Sequence, residues 1–229
     1  TFIGYVVSAL LISNILFSFV SAKFNRKENN FSINITLGIR KYLRISELKG
    51  LMFLNLAVSA GGSMILVNTI ILVRSSLELG DISFPITMLM FGIGCMIAAI
   101  MIPQFAKSVA PSRIMLYGSH LLSITFIALA FWIILLDFIW PVLLIAWLFS
   151  GFSYTLILTP MGRIIRSVSN VDEFSQVYSA QFSLSHLCWL FMYPVSGYLM
   201  TVSDGPFTLL MLASVIVFSN IFATWHFSN

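Results

Sequence analysis

Gly50-Leu-Met-Phe-Leu-Asn-Leu-Ala-Val-Ser-Ala-Gly-Gly-Ser-Met-Ile-Leu-Val-Asn-Thr-Ile-Ile-Leu-Val73 runs without one charged side chain and stops at Arg74. About 20 predominantly apolar residues carry a helix across the ~30 Å hydrocarbon core of a bilayer, and this stretch supplies them. The whole chain is of the same kind. Hydrophobic residues make up 59% of its 229 positions and charged residues 9%, and its mean hydropathy is +0.99. Soluble domains carry about 45–50% apolar and about 25% charged residues. A soluble fold of this size exposes too much surface to hide so much apolar side chain, so the solvent is lipid. There the backbone must satisfy its own hydrogen bonds, as helices or as a closed barrel. The runs are long and unbroken rather than short alternating segments, which predicts helices.

Working outward, charges and turn residues cut the chain into seven predicted spans: 1–20, 50–73, 82–102, 113–136, 139–161, 174–200 and 206–226. Pro103 closes the third, Asp137 marks a short turn after the fourth, and Pro141 and Pro160 sit near the ends of the fifth. Pro206 suits the first turn of a helix. The organisation is a transmembrane helix at 1–20, a basic loop at 21–49 and a six-helix bundle at 50–229. The chain begins at Thr1 and is apolar from Phe2, with no basic leader and no small-residue cleavage site. It reads as a truncated or processed start rather than a signal peptide. Cys95 and Cys188 fall inside apolar spans and read as small packing residues, not as a disulfide framework.

Lysine and arginine set the orientation. Lys23, Arg26, Lys27, Arg40, Lys41, Arg44, Lys49, Lys107, Arg113, Arg163 and Arg166 fall on one side; Arg74 stands on the other with Glu78, Asp81, Asp137 and Asp204. The first loop and the C-terminus are therefore expected in the cytoplasm and Thr1 outside. The sequons at Asn30 and Asn34 are then expected to carry no glycan. Within the loop, Ile35, Ile39, Tyr42 and Leu43 share one helical face, while Arg40, Lys41, Arg44 and Glu47 point away. This predicts a basic amphipathic helix lying on the lipid headgroups.

One helix, a basic loop with an interfacial helix, then six helices: this order resembles the second half of a major facilitator superfamily (MFS) transporter. The stretch from Pro103-Gln-Phe-Ala-Lys107 to Arg113-Ile-Met-Leu-Tyr-Gly118 is similar to the family's second copy of its short basic loop motif. It keeps Lys107, Arg113 and Gly118 in kind and lacks the Gly and the Asp-Arg pair. Leu158-Thr-Pro-Met-Gly-Arg163 to Arg166, with Ala180-Gln-Phe-Ser-Leu-Ser-His-Leu-Cys-Trp189 and Tyr193-Pro-Val-Ser-Gly197, looks like the tenth and eleventh helices of bacterial facilitators, exporters in particular. The resemblance implies a fragment that holds the sixth helix, the central loop and helices seven to twelve, and supplies half of a midplane cavity between two rocking bundles. It implies an N-terminal six-helix half as partner, a small-molecule substrate, proton-coupled antiport and efflux, and the bacterial inner (plasma) membrane as location. No cofactor, metal or nucleic acid is expected. A cavity with few charges suits a neutral, amphipathic or weakly cationic substrate.

Polar groups at membrane depth are costly and so informative. No carboxylate falls deep in a span. His186 lies near mid-span, with Ser183 and Tyr193 on the same face, and an imidazole can exchange a proton near neutral pH; the alternative is a neutral ring bonded to a neighbouring helix. Gln181 and Ser185 share another face of that helix, so both faces are expected to meet protein. His120 belongs to the span that packs peripherally in the family. Asn55 and Ser59 share a face at i, i+4, with Asn68 round the other side. The family's seventh and tenth helices line the cavity, which makes Asn55, Ser59, Asn68, Tyr154 and Thr155 candidate lining residues; interhelical hydrogen bonding is the alternative. Ala57, Ala60, Gly61 and Gly62, and Gly92, Gly94, Ala98 and Ala99, read as sites of close helix approach. Arg163 and Arg166 with Asp172 and Glu173 form a candidate cytoplasmic gate, Arg163 paired to Glu173, and Lys107 and Arg113 are candidate loop residues on the same side; topological anchoring is the alternative.

Two other functions fit parts of the pattern. A seven-helix receptor shares the topology, but the first loop is long and basic and the last span lacks an Asn-Pro pair. An intramembrane protease is suggested by Gly151-Phe-Ser153 and His186, but Tyr154 stands where that motif needs Gly and no His-Glu-x-x-His metal motif occurs. The chain is not expected to be an enzyme.

Overall fold

The computed structural model describes residues 38–170 and 173–228. The predicted first span, residues 21–37 with both sequons, and Asp172 lie outside the described residues. Seven helices follow in order: α1 Ser46–Ser76, α2 Ser83–Phe105, α3 Pro111–Leu135, α4 Trp140–Leu158, α5 Met161–Val168, α6 Phe174–Val202 and α7 Gly205–Ser228. No strand occurs among the described residues.

Their limits have local causes. Pro111, Pro141 and Pro206 each sit in a first turn, where the missing N–H is not needed. Asp204 caps α7, its Oδ1 accepting from the Phe207 N–H at 2.8 Å. Pro160 has no N–H to continue the ladder, so α4 stops at Leu158 and α5 restarts at Met161.

Five segments are long and apolar enough to cross a membrane: α1, α2, α3, α4 with α5, and α7. They mark an integral membrane protein. The predicted span 174–200 is the 29-residue helix α6, but it is not among the five. Gln176, Gln181, His186, Pro194 and its serines and tyrosines dilute the apolar residues. The expectation of seven spans thus reduces, among the described residues, to five apolar helices and one long, mixed one.

The predicted interfacial helix lies partly outside the described residues, and its described end packs on protein. Residues 38–42 are helical, 43–45 form a turn, and α1 begins at Ser46. Tyr42 is fully buried while Leu43 is 41% exposed. Tyr42 therefore packs into protein, not onto headgroups, because a buried hydroxyl with a partner satisfies both its ring and its polar tip.

α1 is the axis. Leu51, Leu54, Val58, Met64 and Ile65 are buried against Leu122 and Phe126 of α3, Trp147 of α4, and Leu209 and Leu212 of α7. Helices in lipid gain little from apolar burial, so small residues that let backbones approach decide the packing. A Cβ added at Gly94 would lie 2.0 Å from the Leu148 carbonyl oxygen, and one at Gly151 would lie 2.0 Å from that of Phe91. α2 and α4 therefore cross backbone against backbone. α2 and α6 bury five residues each, against twelve in the Ser46–Ser63 part of α1. α6 docks mainly on α1 and α2 mainly on α4, so among the described residues these two long helices are the least covered.

Candidate functional site

α1 is not uniform. Its ladder widens to π-helical turns at Met64–Asn68 and Leu72–Ser76, and such insertions aim a side chain away from regular α spacing. Asn68 ends the first turn. Its Nδ2 donates to Ser196 Oγ at 2.9 Å and to the Ser196 carbonyl at 3.1 Å on α6. Next to it, Trp147 Nε1 donates to Thr69 Oγ1 at 2.8 Å. The buried polar groups of α1 here serve as interhelical ties to α6 and α4, and this is the alternative the sequence left open for Asn68. Asn55 is 3% exposed and its Nδ2 has no partner among the described residues. Ser59 is buried and donates to the Leu56 carbonyl at 2.9 Å.

Tyr154 is half-buried, edge-on to Phe91 across the α2–α4 crossing with ring centroids 5.6 Å apart. Thr155 is half-buried on the same helix. Gln181 is turned inward: its Oε1 accepts from the Tyr42 hydroxyl, and its Nε2 lies 3.0 Å from Met161 Sδ. Burial holds the Tyr42 phenol above its ordinary range, so it remains a donor to Gln181.

His186 faces the other way. Its Nδ1 is 2.8 Å from the Phe182 carbonyl. A carbonyl only accepts, so Nδ1 carries the hydrogen in this contact, and in that tautomer Nε2 is the acceptor. The ring sits 4.0 Å from that of Phe182. Tyr193 stacks obliquely on Trp189 at 5.0 Å. Ser175, Ser179, Ser183, His186 and Tyr193 are all exposed on this outer face of α6. The expectation that both faces of the helix meet protein holds for the inner face; among the described residues nothing covers the outer one.

The charged residues sort differently from the expected gate. Glu173 pairs with Lys41 at 2.6 Å, not with Arg163. The turn at 43–45 and the docking of Tyr42 carry Lys41 to the start of α6. Arg166 lies over the Phe174 ring at 5.9 Å. Arg163, Lys107 and Arg113 are exposed. The structure thus brings Asn68 to α6, Gln181 to the loop and Glu173 to Lys41, and leaves His186 and Tyr193 on an open face. Sequence reasoning missed Ser196, Tyr42 and Lys41 as partners. Helical periodicity gives a face, not the residue that meets it, and only the place of Tyr42 on an apolar face among basic neighbours offered a signal.

No family model matches the sequence, and no curated protein matches it. Fold and site together define an α-helical integral membrane protein in which, among the described residues, α6 leaves open a face of serines, His186 and Tyr193 interspersed with exposed Phe182, Leu190 and Phe191.

Proposed function

We propose that this chain is part of a secondary transporter of the major facilitator kind, supplying one bundle and half of a substrate path that works by alternating access. In this reading α1 to α7 form the C-terminal bundle, the N-terminal residues add a seventh span, and the basic ends of the helices face the cytoplasm of a bacterial inner membrane. The substrate is a small neutral or weakly cationic molecule, exported against protons.

The observation that carries this is the outer face of α6. Ser175, Ser179, Ser183, His186 and Tyr193 line one exposed strip, shared with Leu190 and flanked by exposed Phe182, Leu187 and Phe191, on a helix whose other side is held against α1. Polar stripes at membrane depth face protein or a water-filled cavity, not lipid. A second bundle across an aqueous cleft satisfies that need, and α2, the other poorly covered edge, gives the same bundle a second margin to meet.

The test is accessibility. In a background with Cys95 and Cys188 replaced by Ala, cysteines at Ser179, Ser183 and Ser175 in the protein embedded in membranes should react with a membrane-impermeant maleimide, while one at Ile100 should not. Silence at all three serines would remove the support for a water-filled path. Labelling together with ligand-triggered signalling and no substrate flux in vesicles would favour a receptor.

A further inference from the structure

A groove of about 250 Å³ opens where the end of α2, the start of α3 and the last two turns of α4 meet. Phe105, Val109, Ile114, Tyr117, Phe152 and Leu156 line it. Behind it lies a small separate core of Ala98, Ile102, Ile114 and Leu156. Tyr117 apart, no polar side chain lines the wall. At its mouth the chemistry changes. Lys107 sits in the connection between Phe105 and Val109, and Arg113 directly precedes Ile114, one turn before Tyr117. Both cations are exposed, as is Tyr117 at 62%. Among the described residues neither has a carboxylate within 4.0 Å. At the same end of the bundle Lys41 is neutralised by Glu173 and Arg166 leans on Phe174.

We propose that this groove holds an acyl chain of an anionic phospholipid whose phosphate is met by Lys107 and Arg113. The argument is one of charge complementarity over an apolar slot. A tail that moves from bilayer to groove exchanges one apolar neighbour for another, so the tail contributes shape and little net attraction. Selection falls to the headgroup. Two unpaired cations at the interface attract a net negative headgroup, by roughly fivefold for each cation near a membrane surface, and a zwitterionic headgroup gains almost nothing. Tyr117 places an amphipathic ring at the same level, where aromatic residues settle among headgroups. The site needs only that α2 to α4 cross a bilayer, so it stands or falls apart from the transport reading.

Native mass spectrometry of the full chain in detergent, titrated with dioleoyl phosphatidylglycerol or dioleoyl phosphatidylcholine, reads the site directly. The first phosphatidylglycerol should bind more tightly than phosphatidylcholine. The K107Q/R113Q double variant should lose roughly fivefold or more of that preference. The R163Q/R166Q variant, altered at the same end but away from the groove, should keep it. V109W, which plugs the groove and leaves both cations, should weaken phosphatidylglycerol binding; if V109W does not fold, K107Q/R113Q decides alone, since both side chains are exposed. Equal binding of the two lipids by the unaltered chain, or an equal loss in R163Q/R166Q, would overturn the proposal.

Discussion

Trp189 fills the space above Gly62: a Cβ added there would fall 2.1 Å from the far edge of the indole. This one contact seats α6 on α1 midway between the Tyr42–Gln181 bond and the Asn68–Ser196 bond. An alanine at Gly62 must push the ring, and overpacking of this sort costs about 1–3 kcal/mol. We expect Gly62→Ala to lower the unfolding midpoint of the purified protein in detergent. Gly62→Ala with Trp189→Leu should recover much of the loss, because a smaller side chain vacates the space. A neutral Gly62→Ala would mean that the seam between α1 and α6 is loose.

Gly92 and Gly94 stand two residues apart, about 200° round α2, though the sequence presents them as equals. A Cβ at Gly94 would strike the backbone of Leu148, whereas one at Gly92 would meet nothing within 4 Å. Gly94→Ala must therefore separate α2 from α4 and is expected to destabilise by more than about 1 kcal/mol. Gly92→Ala should stay within about 0.5 kcal/mol, as exposed substitutions do. Thermal unfolding of both variants in the same detergent checks the contrast, and equal losses would refute the crossing at Gly94.

That pair also shows what the sequence could tell. Unbroken apolar runs made the helices and nearly all their ends legible, since chain length across a bilayer leaves little freedom. Small-residue clusters announced that helices approach closely, but not which glycine meets a neighbour, because that depends on the crossing angle. Partners were the least legible part. Glu173 is followed along the chain by no cation in reach, and Arg163 looked close in sequence; the actual partner, Lys41, is 132 positions away. His186 was legible as an oddity at depth, and its exposure was not, because exposure depends on how far the neighbouring helices wrap around α6.

Lys41 and Glu173 join the loop to the first residues of α6, and both side chains are about two-fifths exposed. Solvent screens such a pair, so its coupling should be small, about 0.2–1 kcal/mol. A double-mutant cycle with Lys41→Ala and Glu173→Ala, read by chemical denaturation, should return a coupling in that range that shrinks in high salt. The charge swap Lys41→Glu with Glu173→Lys should restore what either single reversal loses. The swap Arg163→Glu with Glu173→Arg should not. Rescue by the Arg163 swap alone would reinstate the gate expected from sequence.

His186 stands on the open face of α6 with Nδ1 committed to the Phe182 carbonyl, and among the described residues Nε2 has no hydrogen-bond partner. In a transporter that face borders the path between bundles, so Nε2 is the one strong local candidate to accept a proton from the cavity. Removing the ring removes that acceptor and gives up only its contact with Phe182, which is itself exposed. We expect His186→Ala, in the protein that carries this chain, to abolish flux or to free it from an imposed pH gradient in reconstituted vesicles. His186→Gln separates the two roles of the ring: it keeps a hydrogen-bonding group of similar reach but cannot exchange a proton near neutral pH. If Gln restores flux without restoring its dependence on the gradient, His186 carries protons. If Gln restores both, the ring serves only to shape the face. Unchanged flux and unchanged pH response in His186→Ala would take the residue out of the mechanism.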